Sequence, residues 1–178
     1  IPTDADTNNT YVVEVNASDG TAWDLQTVTV TVTDVPEVFI PADRTALLNA
    51  VNLWTSNNSL ALSTFGAINT WDVSQITDMQ EIFRNKTTFN DDISDWNVSN
   101  VTTMKWMFRD ATSFNQDIST WDVSNVGSFM GTFEGSTAFN QNIGDWNVSN
   151  ATNMGYMFYN ATLSDANKGL IHASFSPN

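Results

Sequence analysis

From Trp71 onward, the large apolar residues return every 25 positions. Trp71, Trp96, Trp121 and Trp146 open four segments: WDVSQITDMQEIFRNKTTFNDDISD, WNVSNVTTMKWMFRDATSFNQDIST, WDVSNVGSFMGTFEGSTAFNQNIGD and WNVSNATNMGYMFYNATLSDANKGL. Val73, Val98, Val123 and Val148 keep the same register, as do Phe83, Phe108, Phe133 and Phe158. Phe89, Phe114 and Phe139 form a further column, and Ile93, Ile118 and Ile143 another. No insertion breaks the period. Independent loops tolerate length changes, whereas neighbouring units of one shape do not.

Within a segment the pattern has two parts. Ile93, Trp96 and Val98 are separated by polar residues, so Trp96 and Val98 share one face of a predicted short strand while Asp95 and Asn97 share the other. Val101, Met104 and Phe108 then recur at i, i+3 and i+7, the spacing of about two helical turns with one apolar face. One such coil cannot bury its own Trp, Val, Met and Phe, but stacked neighbours can. The expected fold class is therefore an α/β solenoid. It is an LRR-like stack of 25-residue strand–helical-turn coils with helical caps, its strands near Trp71–Val73, Trp96–Val98, Trp121–Val123 and Trp146–Val148. The Trp columns are core, and each indole N–H requires an acceptor. Asn90, Asn115 and Asn140 read as side-chain amides serving turn backbone.

The flanks have different grammar. Residues 39–70 contain Leu47, Leu48, Val51 and Trp54 on one helical face, with Pro41 and Asp43 suited to the first turn. Residues 163–178 predict a second cap, with Ser164 as its N-cap. The four coils lie between, at 71–162, and the third departs most, with Gly127, Phe129, Met130 and Thr132. Residues 1–38 alternate as a β-hairpin: Tyr11, Val13 and Val15, then Val28, Val30 and Val32, with a turn around Ser18-Asp19-Gly20 and an end at Pro36. Thr27, Thr29, Thr31 and Thr33 read as β-favourable residues on a half-exposed strand.

Composition narrows the chemistry. Six basic against twenty acidic residues give a net charge of −14, which argues against a nucleic-acid partner and against an anionic membrane surface. Cysteine is absent, so neither disulfides nor thiolate metal sites arise. His172 is the single histidine, without a nucleophile pattern around it. The chain opens on Ile1 without a signal peptide, as a piece of a longer polypeptide would.

The wording WDVSNVTxM, MF and FNQDI resembles a bacterial surface-protein repeat of about 25 residues, related to BspA-like leucine-rich repeats and described as a domain of unknown function in mycoplasmas. The resemblance spans about residues 40–175 and implies an LRR-like solenoid on an exported, adhesin-like chain, located extracellularly or on the cell surface. The stretch DADTNNTYVVEVNASDG…QTVTVTVTDVPE resembles the last strands of a cadherin-like domain. That resemblance implies Ca²⁺ sites, with Asp19 in the A-x-D-x-G position and Asp34 opening the D-x-N-D-N position. Asp4 and Asp6 are weaker matches, and the terminus here reads Asp34-Val35-Pro36-Glu37. A Ca²⁺ ion needs six to eight oxygens, several of them from strands outside this stretch.

Two surfaces are candidate sites. Strand alternation points Thr70, Asp95, Thr120 and Asp145 outward in one row and Asp72, Asn97, Asp122 and Asn147 in another. This acidic face suits cations or sugar hydroxyls; its plainer reading is a solvated sheet. Trp106, Tyr156 and Tyr159 form the second candidate, for stacking on a ligand, against partial burial. The expected function is a non-enzymatic module binding a protein or glycan on another cell or matrix. A structural spacer is the alternative, and a glycan-active enzyme resting on carboxylates alone is the third class. The hairpin edge also suits strand pairing with another chain.

Overall fold

A computed structural model describes residues 10–18, 23–31 and 38–175 of the chain. It divides into two compact units, Ile1–Glu37 and Val38–Asn178. In the first, β1 (Thr10–Ser18) pairs antiparallel with β2 (Trp23–Thr31). Tyr11 lies opposite Val30 and Val13 opposite Val28, so the two runs rich in β-favourable residues meet in register. Asp19, Asp34, Asp4, Asp6, Thr33 and Pro36 lie outside the described residues.

The second unit opens with two helices. Asp43 caps α1 (Arg44–Ser56), its carboxylate accepting from the Ala46 N–H at 2.8 Å. Leu47, Ala50, Val51 and Trp54 form the buried stripe, at the i, i+3, i+4, i+7 spacing of one helical face. Asn57 ends α1 and caps α2 (Asn58–Phe65), accepting from the Leu60 N–H. Gly66 stops α2 at a φ of 70°, a conformation available to glycine without a Cβ clash. A 3₁₀ turn, Ile68–Thr70, leads to Trp71. Trp54, Phe39 and Phe65 all pack edgewise or tilted around the Trp71 ring, at centroid distances of 5.1–5.8 Å.

The repeats correct the expected fold class. Among the described residues of this unit there are three α-helices, one 3₁₀ turn and no strand, so the α/β solenoid with an LRR-like sheet is not formed. The repeat region is turn and loop, and the parallel pairing present is a series of single-residue bridges, Asp78–Thr103–Ser128–Asn153. Local turns explain the difference. The Trp96 N–H closes a turn onto Ile93 O and the Val101 N–H another onto Val98 O, leaving no room for a strand at Trp96–Val98. The alternation of Ile93, Trp96, Val98 and Val101 comes from successive turn corners facing one core, not from a pleat.

The predicted helical turns fail for a related reason. Met107, Arg109 and Ala111 donate three residues back, to Met104, Trp106 and Phe108. The alternate N–H groups of Met104, Trp106, Phe108 and Asp110 instead reach forward to the carbonyls of Ser128, Met130, Thr132 and Glu134, at 2.7–2.9 Å. Trp106 and Asp110 sit at φ 56° and 57°, outside the helical region. The same backbone recurs at Glu81 and Asn85, at Gly131 and Gly135, and at Tyr156 and Asn160. A helix would spend every N–H within its own segment; here half of them tie each repeat to the next.

The core follows the columns. Trp71, Trp96, Trp121 and Trp146 are buried, and the indole N–H groups of Trp96, Trp121 and Trp146 donate to the carbonyls of Ile68, Ile93 and Ile118. Phe83, Phe108, Phe133 and Phe158 form a near-parallel ring column with centroids 5.2–5.7 Å apart. In the third repeat, Phe129 and Thr132 occupy the places of Met104 and Met107. The buried Thr132 hydroxyl bonds Met104 O at 3.0 Å and Phe129 O at 2.8 Å, so its burial leaves no polar atom unserved.

Asn90 Oδ1 accepts from the Asn115 N–H and Asn115 Oδ1 from the Asn140 N–H, both at 2.8 Å. Asn140 Oδ1 then accepts from Ser164 N–H at 2.8 Å, and the Asn167 amide reaches Asn140 O as Gln141 reaches Asn115 O. Ser164 Oγ accepts from Asn167 N–H and so caps α3 (Asp165–Phe175). The terminal helix thus supplies with its first turn the bonds that a further Phe–Asn–Gln turn would make.

Candidate functional site

The acidic rows are built into turns. Asp72, Asn97, Asp122 and Asn147 each place Oδ1 on the N–H two residues ahead, at Ser74, Ser99, Ser124 and Ser149, over 2.9–3.2 Å. This is the turn that Asx side chains make by substituting for a backbone carbonyl. A second series, not singled out from the sequence, does the same: Asp92, Asp117 and Asn142 accept from Ser94, Ser119 and Gly144 at 2.9 Å. A third uses donors. The amides of Asn100, Asn125 and Asn150 reach the carbonyls of Ser74, Ser99 and Ser124 in the preceding repeat. The signal for both was in the sequence, as columns of Asx two residues before Ser or Gly and of Asn after Ser.

Asp95, Asn97, Asp122, Asp145 and Asn147 are exposed and Asp72 half-buried. Asp95 borders a shallow cleft of about 360 Å³ with Asp92, Ser94, Gln116, Asp117 and Thr120. Among the described residues no group of three or more His, Cys, Asp or Glu side chains is placed to hold a metal ion.

Hydrogen bonds from Ser74 hold the Asp72 carboxyl below its ordinary value of 3.8, and those from Ser124 do the same for Asp122. The bonds from Ser94 and Ser119 likewise lower Asp92 and Asp117. A carboxylate depressed on folding stabilises the fold fully above its unfolded value and loses that contribution as pH falls through the folded one. The thermal midpoint should therefore fall as pH is lowered below about 4, the ordinary carboxylate range. Because Asn97 and Asn147 make the same turn without a charge, Asp72→Asn combined with Asp122→Asn should flatten that acid limb. A melting series from pH 5 downward checks this, and an unchanged slope would contradict it.

Trp106 and the two tyrosines are placed differently from one another. The half-buried Trp106 ring has Lys105 Nζ 4.0 Å from its centroid, with the guanidinium carbons of Arg84 and Arg109 at 5.7 and 5.9 Å. Those guanidinium groups are themselves paired, Arg84 with Glu81 at 3.0 Å and Arg109 with Glu134 at 3.1 Å. The indole also lies against Gly131: a Cβ there would come within 2.5 Å of Trp106 Cδ1. Trp106 is half-buried between repeats. Tyr156 and Tyr159, by contrast, are 65 % and 55 % exposed and meet edge to face at 5.8 Å.

A cysteine-free body of 25-residue turn repeats, tied by Asn amides and closed by helices at both ends, defines the class. Residues 52–170 match the family described as Mycoplasma protein of unknown function, DUF285, and the chain belongs to that family. Comparison with curated proteins and with solved structures finds no match. No helix among the described residues is long and apolar enough to cross a membrane.

Proposed function

We propose that the chain is a non-enzymatic binding module of a bacterial surface or secreted, adhesin-like protein, and that Tyr156 and Tyr159 form its contact with a protein or glycan. One observation carries this reading. Tyr156 is largely exposed and holds φ 59°, at the register position where the third repeat has Gly131. A bulky residue in that region is strained, and strain kept at an exposed position points to use rather than to stability. Tyrosine also supplies broad, rigid contact area with a polar tip. The BspA-like wording of the repeats and the cadherin-like wording before them, with its Ca²⁺ positions, belong to this reading, as does the extracellular or surface location.

A second reading, a structural spacer, is favoured by the Asx columns: residues that resemble a recognition face are spent on turn closure and inter-repeat bonds. A glycan and host-protein screen separates the two, comparing the wild type with Tyr156→Gly and Tyr159→Ala. Binding should weaken at least about tenfold in both variants, with the stability of Tyr159→Ala within about 1 kcal/mol of wild type, as for substitutions at exposed positions, and that of Tyr156→Gly unchanged or raised as the left-handed strain is relieved. A ligand bound equally by all three proteins removes the tyrosine edge. No ligand in the screen leaves the spacer reading.

A further inference from the structure

The ring columns stop short at the C-terminal end. Each of the first three repeats carries two nearly parallel phenyl rings: Phe83 with Phe89 at 4.2 Å, Phe108 with Phe114 at 4.0 Å, and Phe133 with Phe139 at 3.9 Å. The fourth repeat supplies Phe158 to the first column, 5.7 Å from Phe133 and inclined by 5°. In the second column it supplies Leu163. The register is set by hydrogen bonds: Asn140 Oδ1 holds the N–H of Ser164 as Asn115 Oδ1 holds that of Asn140, so Leu163 follows Phe139. Phe158, in the last of the four repeats, is half-buried, whereas Phe83, Phe108 and Phe133 are at 0 % exposure.

A cavity lies beside this last layer. Phe158, Ala161 and Leu163 of the last repeat bound it on one side, and Ile171 and Phe175 of α3 on the other, with Lys168 and His172 also lining it. Its volume is about 480 Å³, within the range of roughly 300–1,000 Å³ typical of small-molecule sites. The lining is mostly apolar, and the Lys168 ammonium is already paired with Asp165 at 3.2 Å. The site therefore suits an uncharged body rather than an ion.

We propose that this cavity binds a small, uncharged, planar aromatic molecule, its ring continuing the phenylalanine stack against Phe158. The driving force is the one that forms the columns: apolar surface leaves water, and offset rings gain further from their stacking. The site is separate from the Tyr156–Tyr159 edge and does not depend on it.

The test uses the full chain and N-phenyl-1-naphthylamine, an uncharged aromatic whose fluorescence rises on leaving water. Wild type should bind it saturably at one site. Leu163→Phe, which completes the second column, should weaken binding at least tenfold and leave the circular dichroism spectrum unchanged. Leu60→Asp, which removes an exposed apolar side chain of α2, should bind as wild type does. Absence of saturable binding overturns the proposal, as does equal affinity in Leu163→Phe. Should Leu163→Phe not fold, wild-type protein decides alone. Nuclear Overhauser contacts from the bound ring to the Leu163 and Ile171 methyls are required, and their absence overturns the site.

Discussion

Trp121→Ala is expected to lower stability by about 3–5 kcal/mol, the range for removing a large buried aromatic side chain. Trp121 is 4 % exposed and lies across Phe108 at 6.4 Å. Its truncation opens a cavity between two repeats that are held by backbone bonds and have limited freedom to collapse. It also strips one of two donors from Ile93 O, which Trp121 Nε1 reaches at 3.3 Å and the Trp96 N–H at 3.1 Å. Since whole domains are stable by only about 5–15 kcal/mol, this one change could consume much of the total. Trp121→Phe should fall between, keeping a ring and losing the N–H. Urea unfolding followed by circular dichroism measures all three proteins. A loss below about 1 kcal/mol for the alanine variant would show that the Trp column does not carry the core.

Gly131→Ala is the second large effect expected, about 2–3 kcal/mol, and it tests how Trp106 is seated. The left-handed conformation alone disfavours an L-residue by roughly 1–2 kcal/mol. Gly131 holds φ 59°, and a Cβ there would stand 2.5 Å from Trp106 Cδ1 and 2.8 Å from Nε1. The two contributions separate in a double-mutant cycle. With Trp106→Gly in the background, the indole's share of the steric part should vanish, while the conformational part and the contact with Glu134 Oε2, 2.9 Å from that Cβ, remain, leaving a coupling of about 1 kcal/mol or more, as expected for residues in contact. Strict additivity would mean that the indole does not lie against Gly131.

The composition of the turn row explains why Gly131 is where it is. Its four members are Glu81, Trp106, Gly131 and Tyr156, all at positive φ. The next such row, Asn85, Asp110, Gly135 and Asn160, consists of the residue types that tolerate that region best. The first row does not, and its aromatic members are the ones singled out from the sequence as candidate contacts. Trp106 is explained by packing into the slot over Gly131; Tyr156 is left exposed, which is why the proposed function rests on it.

The period of 25 residues, the burial of the Trp column and of most of the Phe columns, and the cap at Ser164 were legible in the chain alone, whereas Asp43, read as a first-turn residue, is the N-cap of α1. These depend on which residues are apolar and which side chains serve local N–H groups, and both are properties of sequence. The conformation between the columns was not legible. Ile93, Trp96 and Val98 carry the spacing of a strand, and Val101, Met104 and Phe108 that of a helix, yet neither forms. The same spacing arises when successive turns direct every corner to one core, and periodicity cannot distinguish these cases. The acidic rows were likewise visible as columns, while their use in closing turns was not, because the N–H that each carboxylate or amide meets is freed only by the turn itself. What decided the backbone was tertiary: alternate N–H groups in the second half of the first three repeats find their acceptors 24 residues ahead, on the next one, and a bond to a neighbour that must first be in place has no local signature.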